Sequence, residues 1–470
     1  MSFWLSSRYP RRPRKPECGL ISYIVNRMSS KVSSEIRTVI LVSPHFPPST
    51  LAGVHRARHL AKHLPSHGWQ PTVLCVDPRH HIEKLDPELA CLVPSDLQIV
   101  RTGAIPVRLT RPLGMAGDIG LRGYFHLRAA ITKEMNRMRA DAILISGSPY
   151  YPMLMAGWIR RRWNVPVVLD FQDPWIWHVD AEAALRPKQR ISHRLAVALE
   201  PHAVRNAAFI TSVSKRQNDE MADRYPWLDR TRMADIPIGG DPDDFDALRS
   251  GALGQMTPSP HLAPSITNVS YVGTIWPPVI PTLRTVLRAV MLLRERVPRI
   301  AATLRLNFVG TTANPLDTGG FRVLTIAREI GVADNVCEVP ERRPYMEALQ
   351  LMAQTELALM MGSYEPHYTA SKIYPVLMAG RPFLSIFHRM SSSHEILTRA
   401  GGGLALAFGS ASELEALVPA ISEGLERLVS NPGAFGQANP AAYAPFTARA
   451  VAGQFADVFE RAAQRCHLIG

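Results

Sequence analysis

The chain has 470 residues, 46% of them apolar and 20% charged, which suits two globular domains or one large one and excludes a disordered chain or a disulfide-stapled mini-protein. Its 53 Lys+Arg against 40 Asp+Glu give a net charge of +13, spread as +6 over residues 1–37, +8 over 38–240 and −1 over 241–470. A nucleic-acid coat would not leave half the molecule neutral, so the halves are expected to meet different partners, with no nucleic acid among them. Five cysteines (Cys18, Cys75, Cys91, Cys337, Cys466) are scattered with no CxxC pair and no His/Cys cluster at metal spacing, which argues for a reducing compartment and against structural zinc. No apolar stretch reaches the roughly 18–20 residues needed to span a bilayer, and a cytoplasmic protein is expected.

Residues 1–36 interleave Arg8, Arg11, Arg12, Arg14 and Lys15 with Pro10, Pro13 and Pro16. Prolines at that spacing break helix and strand alike, so a basic disordered extension is expected. It reads either as a polybasic arm for anionic lipid or nucleic acid, or as a plain disordered extension from an upstream start, with the true start at Met28. The second is the plainer reading.

From Arg37 the pattern becomes regular. Thr38–Ser43 is a short apolar run ended by Pro44 and suits a buried parallel strand. A loop with Pro47, Pro48 and Gly53 leads to an Arg/His-studded helix from Val54 to His67, closed by Gly68, and then to a strand over Pro71–Val76. This βαβ unit opens a Rossmann-like domain, continued by strands at Ala142–Ser146, Val165–Leu169 and Ala208–Val213. The alternation breaks at Asp235–Asp246 and at the Gly/Pro/Ser-rich stretch Ser250–Pro264. A second series follows, with strands at Thr267–Val272, Leu304–Val309, Asn335–Val339, Leu357–Met361 and Phe383–Phe387. Two doubly wound α/β domains facing a cleft are expected: residues 37–240, residues 241–446, and a terminal helical stretch at 447–470. That stretch reads equally as a helix packing back across both domains or as a simple terminal helix.

Open α/β sheets bind ligands at the carboxyl ends of their strands. Gly273-Thr274 and Gly310-Thr311-Thr312 stand at such ends, and so does Asp170-Phe-Gln-Asp-Pro-Trp175. In the last motif Asp173 either meets a ligand at the cleft mouth or caps the turn before Pro174, and Trp175 offers a stacking face. His45, His55 and Arg56 border the Gly53 loop. In Tyr368–Pro382, Thr369 or Ser371 is expected to cap a helix with Lys372 in its first turn, where the helix dipole disfavours a cation unless an anion sits there. Lys372 is the only lysine in residues 241–470. Leu121–Arg139 carries an apolar stripe (Leu121, Tyr124, Phe125, Leu127, Ile131, Met135, Met138) beside five basic residues. It reads as a packed α/β helix or as one lying on an anionic membrane.

Taken in order, these motifs resemble the retaining GT-B-fold glycosyltransferases of family 4 (group 1) over residues 37–466. Ile40–Pro48 with Gly53 resembles the acceptor-side glycine loop and Ser212–Arg216 the serine-bearing turn. Ile238–Phe245 resembles the interdomain segment, Ser270–Ile275 the loop opening the donor domain, and Asp334–Pro340 the stretch that meets the nucleotide base through backbone.

The resemblance implies a metal-independent, retaining, hexosyltransferase-like enzyme with a nucleotide-sugar co-substrate and no cofactor. Its acceptor would be lipid-linked or a polysaccharide, in cell-surface glycan synthesis at the cytoplasmic membrane. It implies Lys372, Asp173 and Glu365 as catalytic residues. Gly273, Thr274, Gly310, Val339, Arg343, His367, Ser371 and Tyr374 would be donor-binding, with Gly53, His55, Arg56 and Trp175 on the acceptor side and no metal ligand. The chain departs from the family pattern where two glutamates usually stand: Pro375 and His367 occupy those positions, and Glu365 lies two residues upstream of the first. Thr274 replaces the donor-loop arginine, and Trp276-Pro277-Pro278 stands near the usual lysine. A nucleotide-sugar epimerase on the same fold and a degenerate glycan- or partner-binding subunit are the alternatives.

Overall fold

The computed structural model describes residues 36–112, 117–176, 187–251, 258–312, 320–365 and 370–469, with side chains to Arg465. The expected basic extension, Thr369 and His367 lie outside the described residues. Seven strands form the first sheet: β1 (Arg37–Val42), β2 (Trp69–Val76), β3 (Gln98–Thr102), β4 (Ala142–Gly147), β5 (Val167–Phe171), β6 (Phe209–Ser212) and β7 (Met233–Asp235). They run parallel in the order β3-β2-β1-β4-β5-β6-β7. Six strands form the second: β8 (Thr267–Val272), β9 (Leu304–Val309), β10 (Val336–Val339), β11 (Leu357–Met361), β12 (Phe383–His388) and β13 (Gly403–Phe408). They are parallel in the order β10-β9-β8-β11-β12-β13.

Both are doubly wound α/β sheets of the GT-B architecture. Each reverses strand order once, between β1 and β4 and between β8 and β11, and a crevice opens at such a point. The continuous apolar runs of the sequence are the central strands, buried on both faces. β3, β7 and β13 were not anticipated. They are edge strands and only partly buried; β3 and β7 are short and interrupted by polar residues, while β13 is apolar but opens on a run of three glycines, Gly401 to Gly403.

The helix Val54–His63 carries more of its charge inward than its composition suggests. Arg56 and Arg58 are fully buried. Arg58 makes a two-pronged pair with Asp244 at 2.8 and 2.5 Å, and the Tyr345 hydroxyl donates to the same carboxylate at 2.9 Å. Lys62 and His63 reach Asp241 at 2.9 and 3.0 Å. Asp241 also caps the helix Pro242–Arg249 through the amide of Asp243. The first sheet's leading helix is thereby bonded to the segment that joins the two sheets.

That segment turns at Gly239, whose φ of 72° and position leave no room for a side chain: a Cβ would stand 2.6 Å from the Phe446 carbonyl oxygen. The Gly240 amide donates to the same carbonyl at 3.0 Å, and Ala448 N donates to Gly240 O at 2.7 Å. The helix Ala448–Ile469 then returns to the first sheet, where Val451, Phe455 and Phe459 join a core with Leu60, Trp69 and Val73.

The amphipathic stretch forms the helix Ile119–Met138, and its stripe packs inward except for Phe125, which stays exposed. Leu127, Ile131 and Met135 are buried in the first sheet's core while Arg128, Lys133 and Arg137 stay exposed. Among the described residues no helix is long and apolar enough to cross a membrane.

Candidate functional site

A cavity of about 470 Å³ lies where the carboxyl ends of the two sheets meet. Gly53, Gln172, Asp173 and Ser214 line it from the first half. Gly273, Thr274, Trp276 and Arg342 line it from the second, joined by Glu365, Ser371, Lys372 and Tyr374. Eight residues singled out in the sequence therefore share one space: Gly53, Asp173, Gly273, Thr274, Glu365, Ser371, Lys372 and Tyr374.

Lys372 dominates the electrostatics. The helix after it is short, Ile373–Ala379, with Lys372 itself at the N-cap and no side-chain cap, and Gly380 at φ 70° ends it. Ser371 therefore does not cap, and Lys372 precedes the first turn instead of lying within it. Pro375, third in the helix, removes one of the few free amides. A positive potential here rests on side chains, not on backbone donors. Burial, with the nearby Arg342 guanidinium adding to it, lowers the Lys372 ammonium to about 8. No carboxylate of the described residues comes within ion-pairing distance of it. Burial also lowers the Arg342 pKa. Two cations thus face one cavity without a neutralising partner.

Asp173 is the counterpart on the opposite wall. Its carbonyl accepts from the Tyr150 hydroxyl at 2.9 Å, which fixes the backbone. Its carboxylate makes no hydrogen bond among the described residues. The walls around it raise its pKa by desolvation even though its atoms remain solvent-accessible. The capping alternative is not observed. Gln172 was not singled out, yet it organises this wall, donating to Ser146 Oγ at 2.8 Å and to the Gly53 carbonyl at 3.3 Å. Ser146 in turn donates to the buried Asp170 at 3.2 Å. A glutamine two positions past a strand's last buried aspartate was the only cue to it.

Several anticipated residues lie elsewhere. Arg56 is wholly inside, donating to Pro237 O at 2.7 Å and Ile236 O at 2.6 Å with its Nε 3.3 Å from Asp170. It braces the interdomain segment and does not reach the cavity. Trp175 is 5% exposed, stacked on Tyr150 with ring centroids 5.4 Å apart, so its face is already covered. His55 lies against the Tyr345 ring at 4.3 Å, and burial keeps its imidazole neutral, reinforced by Arg58.

Gly310, at φ 77°, turns the chain after β9, and its amide is held by Val339 O at 2.8 Å. Neither is among the residues lining the cavity, and the Val339 carbonyl is committed to that bond. Arg343 pairs with Glu347 at 2.9 Å and points away, and its neighbour Arg342 supplies the cation instead. The Thr274 hydroxyl donates to Thr312 O at 3.3 Å, which joins the loops after β8 and β9.

Residues 52–239 match the model of the glycosyl transferase 4-like domain. No curated protein matches the chain. Among solved structures, HepE of Anabaena in complex with UDP and glucose is similar at 14% identity, over 90% of this chain and 99% of that one, with a TM-score of 0.57. Sucrose-phosphate synthase of Thermosynechococcus elongatus is similar at 15% identity, over 92% and 98%, with a TM-score of 0.53. A glycosyltransferase of Rickettsia africae is similar at 10% identity, over 91% and 98%, with a TM-score of 0.52. At these identities the likeness establishes the shared two-domain fold.

Proposed function

We propose that this chain, which carries a glycosyl transferase 4-like domain on a GT-B fold, transfers a hexosyl unit from a nucleotide-diphosphate sugar to a lipid-linked or polysaccharide acceptor. The observation that carries this reading is the unpaired Lys372 beside Arg342, facing Asp173 across a cavity of about 470 Å³. A diphosphate is the ligand that two uncompensated cations in a shielded space favour. UDP complexes of HepE on the same fold support that choice of donor.

Lys372 and Arg342 would neutralise the charge that builds on the leaving diphosphate, a task for which a pre-placed cation out of water is effective. In this reading transfer needs no metal at the diphosphate and proceeds with retention. Asp173 would hold or orient an acceptor hydroxyl from the opposite wall, and the Gly53 loop, fixed by Gln172, would leave room for it. Glu365 at the mouth stands where a sugar hydroxyl could be held. The exposed arginines of Ile119–Met138 and the basic balance of the first half suit an anionic, lipid-linked acceptor presented at the cytoplasmic face of a membrane.

The reading is tested with UDP-, GDP- and dTDP-sugars followed by thermal shift and by product analysis. At least one sugar should raise the Tm of the native chain and leave Lys372→Met unmoved, because only the folded state binds. Indifference of the native chain to every sugar would overturn it. Consumption of donor without acceptor, yielding an isomerised sugar, would favour an epimerase instead.

A further inference from the structure

We propose that His45, His81 and Glu83 form a zinc-type metal site in the first half, apart from the sugar cavity. His45 lies on the loop after β1 and Glu83 on the loop after β2, strands that are neighbours in the sheet, so 38 residues of separation collapse to a contact. Glu83 Oε1 stands 3.0 Å from His45 Nδ1 and 2.9 Å from His81 Nδ1. The two rings meet edge to face at 5.1 Å. Side-chain exposure is 10% for His45, 1% for His81 and 6% for Glu83, so the group is shielded from water.

The hydrogen-bond chemistry asks for a positive centre. His81 Nε2 faces the Val76 carbonyl at 3.2 Å, an oxygen that can only accept, so the ring hydrogen sits on Nε2. With that hydrogen on Nε2, Nδ1 faces a carboxylate oxygen that also only accepts, so either a second ring proton or a metal ion must stand between them. That oxygen already receives the Ser49 hydroxyl at 2.5 Å and is shared with His45. A cation among the three ligand atoms relieves the conflict. Two imidazole nitrogens and one carboxylate oxygen are a common three-ligand zinc set, with a fourth position for water or for Ser49. The surroundings fit a second layer of support: Val76 O orients His81, while Ser49 and the Ile82 amide, 3.2 Å from Glu83 Oε2, orient the carboxylate.

Two other groups bring a histidine and carboxylates together, His59 with Asp241 and Asp244, and His63 with Asp241 and Asp243. Their carboxylates are already neutralised by Arg58 and Lys62, whereas no lysine or arginine of the described residues pairs directly with Glu83; the nearby Arg122 guanidinium is engaged with the His80 carbonyl. Metal at His45–His81–Glu83 would tie the loop that leads to Gly53 to the loop that leads to Asp86. The Asp86 carboxylate accepts the Tyr345 amide of the second half at 2.9 Å.

The test uses the full chain, stripped by chelator and retitrated with Zn²⁺ by calorimetry and with Co²⁺ by visible absorption. About one equivalent of Zn²⁺ should bind, and Co²⁺ should give the intense bands of four-coordinate geometry. Glu83→Gln, which keeps the shape and a hydrogen-bonding head, and His81→Ala should each weaken Zn²⁺ at least a hundredfold, while His63→Ala should bind as the native chain does. No Zn²⁺ binding by the native chain, or binding unchanged in Glu83→Gln, would overturn the site and leave a hydrogen-bonded cluster. Neither readout involves a sugar donor, so this proposal and the proposed transferase activity fail separately.

Discussion

Helix Val54–His63 in the first half and the turn at Lys372 in the second both hold cations away from bulk water, with opposite provisions. Arg56 and Arg58 are surrounded by acceptors: two carbonyls and Asp170 for one, both oxygens of Asp244 for the other. Lys372 has no such partner among the described residues, and its pKa falls to about 8. A buried cation whose charge is met by the protein holds elements together; one whose charge is unmet is poised for an anion from outside. Charge and burial alone do not separate the two cases, and the partner set does.

The largest expected effect breaks the first case. Asp244→Ala strands Arg58 in the interior and should cost about 3–5 kcal/mol in chemical denaturation; a loss below about 1 kcal/mol would show the pair to be dispensable. Lys372→Met is next and should act in two directions. Donor kcat/KM should drop about 10²–10³-fold, as when a group that stabilises developing charge is removed. Stability should rise, because a folded pKa of about 8 against an ordinary 10.5 means that the folded state carries its charge at a penalty, of order 3 kcal/mol at neutral pH. The sign follows from proton uptake: between those values the unfolded chain binds the extra proton, so native stability climbs with pH through that window, and the climb should be missing in the variant.

Asp173→Asn comes third, with transfer reduced about 10–100-fold and the donor-induced Tm shift retained; loss of the shift would move Asp173 to the donor side. The pH profile is a gentler probe. Donor kcat/KM should decline above about pH 8 and approach a tenfold fall per unit as Lys372 loses its proton. The smallest effect is expected at Arg343→Ala, within about threefold of native, since that arginine is engaged with Glu347 outside the cavity.

The central strands could be read in advance because a parallel strand covered on both faces must be an unbroken apolar run. The edge strands β3 and β7, short and interrupted by polar residues, escape that rule. Lys372 stood out as the one lysine among the last 230 residues, a signal of composition that needs no coordinates. Arg56 and Trp175 look like ligand-binding residues because they are polar or aromatic and flank strand ends. What commits them to the interior is far away in sequence: Arg56 meets Pro237 O across 181 positions, and Trp175 meets Tyr150 from a different loop. The His45–His81–Glu83 group was invisible for the same reason. Ligand spacing along the chain says nothing about loops that only sheet pairing makes adjacent.

The returning helix Ala448–Ile469 also sets an order of events during synthesis. Leu60, Trp69 and Val73 share a core with Val451, Phe455 and Phe459, so one face of the first sheet waits for residues that leave the ribosome long after it. At about 5–20 residues per second, the 220 residues between Gly240 and Glu460 take roughly 10–45 s to emerge. During that interval the first half is an unfinished object with an apolar flank, completed only when the helix Ala448–Ile469 arrives. A nascent chain released before this helix emerges would be recognisable to the cell as incomplete by that bare face alone.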